Sequence, residues 1–139
     1  MRNAEPRDAE RLALLSGQLG YPATGDEIAR RLAAIGSDAA AVLVAEAPSG
    51  EIVGWVHVRR LDLLTRDACA EIGGLVVDEA CRGRGVGSRL VDAAEQWARH
   101  AGLASLRLRS NVARAEAHAF YERLGFTASK TSLLLTKTL

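Results

Sequence analysis

The run Arg82-Gly83-Arg84-Gly85-Val86-Gly87-Ser88 constrains the fold more than any other part of the chain. It joins an apolar, β-branched stretch ending in Leu75-Val76-Val77 to a segment of helical periodicity, and so predicts a buried strand, a tight turn and a helix in that order. Glycines at alternate positions let the backbone approach a ligand where side chains would block it. The helix start beyond them presents unpaired N–H groups and a partial positive charge. Together these make an anion site suited to phosphate or pyrophosphate, to which Arg82 and Arg84 can add charge-assisted contacts. A P-loop is excluded, because no Lys-Ser or Lys-Thr pair follows the last glycine. The dinucleotide fingerprint fails as well: its third glycine would stand where Ser88 is, and its turn follows a first strand rather than lying past mid-chain. A glycine-rich turn with two solvated arginines is the plainer alternative.

The rest of the chain supplies the context. A first helix is predicted from about Pro6 to Leu19, with Leu12, Leu15 and Leu19 on one face, stopped by Gly20 and Tyr21-Pro22. Thr24-x-x-Glu27 is a capping box for a second helix that buries Ile28, Leu32 and Ile35. Strands follow at Ala40 to Ala45, Ile52 to Leu61 and Cys69 to Val77, the first two joined by the turn Pro48-Ser49-Gly50. Val86, Leu90, Ala94, Trp97 and Ala101 form the stripe of an amphipathic third helix. A strand at Ser105 to Ser110, a helix at Arg114 to Leu124 closed by Gly125, and a final strand at about Thr131 to Lys137 complete the order. Short connections make the early strands antiparallel, and the helix between residues 77 and 105 makes the next pair parallel. The fold class is therefore mixed α/β: a central, mostly antiparallel sheet with one parallel pair and helices on both faces.

At 139 residues, with no repeat, linker or low-complexity tract, residues 1–139 read as one domain. The 18 basic and 17 acidic residues leave a formal charge of +1, which gives no basis for a nucleic-acid or membrane surface. The N-terminus lacks the apolar run of about 7–15 residues that a signal peptide needs, and no stretch reaches the roughly 20 needed to span a bilayer. The chain reads as cytoplasmic. Cys69 and Cys81 make neither a disulfide framework nor a zinc pattern, and no metal is expected.

The segment Arg82-x-x-Gly85-x-Gly87, after Leu75-Val76-Val77 and before an amphipathic helix, resembles the acetyl-CoA-binding motif of the GNAT superfamily of N-acetyltransferases. The later run from Ala117 to Phe126, AHAFYERLGF, resembles the second signature of that family. The likeness is close from about Ile52 to Phe126 and weaker at both ends. One departure lies at the start, where only Met1-Arg2-Asn3-Ala4 is available for the family's first strand, which is therefore expected to be short.

The resemblance implies a set of roles. Backbone N–H groups of Arg82, Gly83, Arg84, Gly85, Val86 and Gly87, with Ser88 at the helix start, would hold the CoA pyrophosphate. The strand before the turn splays from its parallel neighbour, so Leu75, Val76 and Val77 would line the pantetheine arm, with the N–H of Val76 or Val77 facing the thioester oxygen. Asn111 stands where the family contacts the pantetheine. Phe120 and Tyr121 belong to the same cofactor side, and Tyr121 matches the tyrosine that protonates the departing thiolate. Glu71 has the placement of the catalytic glutamate of histone-modifying members; base and strand neighbour are its two open readings. His57, near Trp55, and His100 read as structural or exposed. His118 belongs to the second signature, where bordering the CoA site and a helix-face role are its two open readings, and Tyr21 lies in the region of the family's acceptor wall.

The implied function is transfer of an acetyl group from acetyl-CoA to a primary amine by direct attack, the acceptor being a small molecule. The alternatives are a silent acyl-CoA-binding module, the same fold acylating a protein amine, and a longer acyl donor. The partners are acetyl-CoA and the amine, and a homodimer accords with the family.

Overall fold

Alternating apolar residues between Ala40 and Val77 build the central strands of a sheet. The computed structural model describes residues 1–36 and 38–139. These fall into two units, residues 1–108 and residues 109–139.

In the first unit the strands are β1 (Arg2–Asn3), β2 (Ala40–Glu46), β3 (Ile52–Leu63), β4 (Arg66–Val77) and β5 (Leu106–Leu108), in that spatial order. The helices are α1 (Ala9–Leu19), α2 (Gly25–Ala34) and α3 (Val86–His100). All strand pairs are antiparallel except β4–β5, which run parallel because α3 carries the chain back across the sheet. β1 is as short as expected, pairing only Arg2 with Val44 and Asn3 with Leu43.

Each face of the sheet has its own apolar cluster. Val56, Val58, Ala70 and Ile72 pack with Val86, Leu90, Ala94 and Ala98 of α3. Val44, Ile52 and Val76 pack on the other face with Leu12 and Leu15 of α1, and Ile28 and Leu32 of α2 lean on that cluster. Leu15 and Leu90 are fully buried, each a contribution of about 1.5–3 kcal/mol. The capping box at Thr24 forms, with the Glu27 N–H donating to Thr24 Oγ1 at 3.1 Å. The first predicted helix divides, residues 6–8 forming a 3-10 turn before α1 begins.

A bulge in β4 has consequences for the site. Val58 faces Ile72 and His57 faces Gly74, so Gly73 has no partner on β3. Ala70 and Ile72 lie on the α3 face, which puts Glu71 on the α1 face. Val76, an odd number of residues further on, nevertheless also packs on the α1 side. The extra residue inverts the alternation and brings Glu71 and Val76 to one face.

The second unit contains α4 (Ala115–Arg123). Gly125, at φ +94°, ends it. The Gly125 N–H donates to Glu122 O at 3.0 Å and the Phe126 N–H to Tyr121 O at 3.1 Å, the paired closing bonds that a left-handed glycine allows. The strand predicted at Thr131 to Lys137 does not form: residues 127–139 contain no regular element, and Leu133, Leu134, Leu135 and Leu139 are exposed. The apolar and β-branched residues there supply only a local tendency. A strand also needs a ladder partner for its N–H and C=O groups, and the sheet ends at β5.

Candidate active site

The chain is anchored before the glycine-rich turn begins. Asp78 Oδ1 accepts from the Ala80 N–H at 3.2 Å, and Arg11 of α1 pairs with the other carboxylate oxygen. Gln18, also on α1, accepts from the Glu79 N–H at 2.9 Å. The Ala80 amide first, then Arg11 and Gln18, outweigh desolvation and hold the Asp78 carboxyl below its ordinary range. Past this anchor Gly83 and Gly85 adopt φ of +80° and +79°. Other L-residues enter that region at a cost of about 1–2 kcal/mol.

Gly85 is the N-cap of α3, and having no side chain it gives the helix start no side-chain cap. Among the described residues, none of the N–H groups from Arg82 to Ser88 donates to a protein acceptor; the first helical bond is that of the Arg89 N–H to Gly85 O, at 3.1 Å. Arg84 and Arg89 line a cleft of about 560 Å³ beside the turn, together with Cys81 and Val86. Arg82 Nε donates to Val77 O at 3.3 Å. Open donors, positive φ and nearby guanidiniums fit an anion with several oxygens.

The strand leading into the turn has one open edge. β4 pairs with β5 only through Ala70–Leu106, Glu71–Arg107 and Ile72–Leu108, so among the described residues Gly73 to Val77 have no strand partner on that side. Alternation decides which groups point there. The Asp78 N–H donates to Val53 O at 2.8 Å, toward β3, so the Val76 N–H also faces β3. The N–H groups of Leu75 and Val77 face the open edge, where Arg82 already takes the Val77 carbonyl. Of the two amides that the sequence left open for a thioester oxygen, Val77 is the one aimed outward.

Glu71 lies just before this opening and is 5% exposed. Arg59 Nη2 donates to its Oε1 at 2.9 Å and Arg107 Nε to its Oε2 at 2.8 Å. The three residues are in register across β3, β4 and β5. Burial pushes the Glu71 carboxyl up, but the two arginines outweigh it and leave it below the ordinary value of 4.5. A carboxyl lowered in the fold contributes stability above its unfolded pKa and loses it as pH falls through the folded one. Chemical denaturation of Glu71→Ala at pH 7 should therefore show a loss of about 2–4 kcal/mol, with two guanidiniums left facing each other. Glu71→Gln should flatten the decline in stability below about pH 4.5. Equal stability of both variants and the parent at pH 7 would contradict the pairing.

Sequence reasoning missed the neighbours of Glu71. Trp55, His57, Arg59 and Arg107 share its face of the sheet, since Val56, Val58, Leu106 and Leu108 point to α3. The Trp55 ring lies over Gly74, where an added Cβ would come within 2.9 Å of it, and the His57 ring lies over Gly73, with Nδ1 at 3.2 Å from such a Cβ. The Trp55 Nε1–H is buried with no acceptor among the described residues. The only sequence signal was two adjacent glycines within a strand.

The second unit carries the remaining candidates. Asn111 Oδ1 accepts from the Ala113 N–H at 2.9 Å, while its carbonyl takes the Arg114 N–H at 3.0 Å and His118 Nε2–H at 2.8 Å. His118 thus secures the Asn111 loop. Tyr121 is half-buried, its ring edge-on to Phe120 at 5.1 Å and to Phe126 at 5.7 Å. Burial raises its phenol above 10, against a weaker opposing influence of Arg114, so the hydroxyl stays protonated at neutral pH. His100 bonds Gln96 O within α3, and Tyr21 is exposed between α1 and α2.

Residues 11–126, a span that includes both units, match the Acetyltransferase (GNAT) family. The chain belongs to this family. The GNAT chain is 34% identical over 131 residues to an aminoglycoside N(6')-acetyltransferase type 1 of Stenotrophomonas maltophilia, covering 91% of the chain and 84% of that protein. It is 38% identical over 82 residues to an aminoalkylphosphonate N-acetyltransferase of Salmonella typhimurium, covering 58% of the chain and 53% of that relative. Among solved structures, an acetyltransferase of Trypanosoma brucei superposes with a TM-score of 0.81 at 28% identity, over 98% of this chain and 97% of that one. The family, the mixed fold and N-acetyltransferase membership stand on these matches. No helix among the described residues is long and apolar enough to cross a membrane.

Proposed function

We propose that the protein transfers an acetyl group from acetyl-CoA to the primary amine of a small molecule, in the cytoplasm, with both substrates bound at once. The reading is carried by one observation: among the described residues, N–H groups without a protein acceptor lie on the open edge of β4, at Leu75 and Val77, and again from Arg82 to Ser88, through the turn and into the first residues of α3. A pantetheine amide chain can pair with a strand edge, and a pyrophosphate can take the amides beyond it. The relatives named for aminoglycosides and aminoalkylphosphonates support a small-molecule acceptor. Two free cysteines accord with a reducing compartment.

Bound acetyl-CoA supplies the activated acyl carbon and the sulfur leaving group. Arg82 to Ser88 hold the pyrophosphate, and Leu75 to Val77 align the arm. The Val77 N–H faces the acyl oxygen and stabilises the charge that gathers there during attack. Phe120 and Phe126 pack the Tyr121 ring. Tyr121 gives its phenolic proton to the sulfur as the C–S bond breaks and recovers one, through water, from the nitrogen that has bonded to the acyl carbon. With the phenol raised above its ordinary value of 10 by burial, proton transfer to a thiolate of about 8.5 is uphill but within reach of a tuned site.

Initial rates with acetyl-CoA and an amine panel of kanamycin, 2-aminoethylphosphonate, spermidine and lysine test the direct route. Intersecting double-reciprocal lines are expected. The Cys69→Ser/Cys81→Ser double variant should retain turnover within about threefold, because direct transfer uses neither thiol as a nucleophile. Parallel lines, with turnover abolished in a folded double variant, would replace direct transfer by an acyl-cysteine route.

A further inference from the structure

We propose that His57 is the base that accepts the proton of the incoming ammonium, and that Glu71 acts at one remove by holding Arg59 and Arg107. The inference rests on the acetyl-transfer reading and names a further residue of that site. An alkylammonium of pKa near 10 must lose a proton before its nitrogen can attack. Glu71 is poorly suited to take it, because both oxygens already accept from guanidiniums and protonation would break one of those bonds.

His57 has what Glu71 lacks. Its ring rests on Gly73, the first β4 residue beyond the last β4–β5 pair, Ile72–Leu108, and so stands where the sheet opens. A side chain at position 73 would crowd the ring; the glycine makes room for it. Among the described residues neither ring nitrogen has a hydrogen-bond partner, and the only fully buried unpartnered side-chain nitrogen or oxygen there is Trp55 Nε1, so both His57 nitrogens remain within reach of solvent. The charged groups around the ring are Arg59 on its own strand and the Glu71 carboxylate that Arg59 holds on β4. β2 offers Ala41, Val42 and Leu43 alongside. Helices α1 and α2 cover this face of the sheet through leucines and isoleucine. Burial first, then the Arg59 charge, lowers the imidazole below 6.5, which leaves it neutral and able to accept a proton at pH 7.

The proton balance closes. One proton of R–NH3⁺ goes to His57 and then to solvent. The nitrogen forms the C–N bond as C–S breaks, Tyr121 protonates the sulfur, and the second nitrogen proton returns to Tyr121. The products are the N-acetyl amine, the CoA thiol and one released proton.

The test uses the full chain and the member of the amine panel that it turns over. For the intact protein, kcat/KM should be level above pH 7. His57→Gln should fall about a hundredfold or more at pH 7, then regain about tenfold per pH unit as the free amine accumulates. Its acetyl-CoA affinity by calorimetry should stay within about twofold, which also reports that it is folded. Added imidazole should restore turnover to His57→Ala, which a positioning role would not permit. NMR titration of the intact protein should place the His57 imidazole below 6.5. A His57→Gln variant with the parental rate and profile, or a His57 that titrates above 7.5, would overturn the assignment while leaving acetyl transfer intact. Absence of thiol release with every amine would remove the transfer reading and the base with it.

Discussion

Titration of acetyl-CoA into Gly85→Glu should show binding at least about a hundredfold weaker than in the parent, a loss of about 2.7 kcal/mol. Gly85 is the left-handed N-cap of α3, at φ +79°. A side chain there strains the backbone by about 1–2 kcal/mol and tends to swing the turn amides away from the anion. An added Cβ meets nothing within 4 Å, so the core beneath has no reason to shift. The new carboxylate would also take the helix N-terminus that the pyrophosphate needs and repel the phosphates. Gly102, at φ +76° near the other end of α3, is the control. Gly102→Glu should show similar backbone strain and unchanged binding. Equal weakening in both variants would mean that lost stability, not a lost anion site, explains the result.

Tyr121→Phe should lower kcat by about a hundredfold and leave acetyl-CoA affinity unchanged. Among the described residues the hydroxyl has no hydrogen-bond partner, so phenylalanine keeps the edge-on contacts with Phe120 and Phe126 and little stability is lost. Because burial raises the phenol above 10, Tyr121 should impose no basic limb on kcat below that pH. Unchanged turnover in the variant would remove Tyr121 as the acid and leave solvent to protonate the thiolate.

How far the fold and the site could be read beforehand follows from the range of the interactions. The turn from Arg82 to Ser88 and the helix after it were legible because positive φ, an open N-terminus and a stripe of apolar residues are local properties. The same holds for Gly125 and Phe126: the glycine closes α4, and the phenylalanine folds back on Tyr121, four residues before that glycine. The strand at Thr131 to Lys137 was misread because pairing is not local. The last sheet strand came out short for the same reason, its ladder covering only Leu106 to Leu108.

Glu71 shows the limit most clearly. Its position was legible, but its partners, 12 residues before it and 36 after, meet it only through strand register. The bulge at Gly73 then decides that Glu71, Trp55 and Val76 share a face, a parity that no count along the sequence reveals. His57 alternates along β3 like any strand histidine, and only Gly73 beneath its ring, on the neighbouring strand, sets it apart.

Under the proposed function an open strand edge and a turn of open amides serve acetyl transfer to an amine rather than acyl-CoA binding alone. The most direct measurement is thiol release from acetyl-CoA by the intact protein with the amine panel, with the products identified by mass spectrometry. The account predicts amine-dependent thiol release matched mole for mole by an N-acetylated amine. Tight acetyl-CoA binding with no thiol release from any amine would contradict it and leave a silent acyl-CoA-binding module.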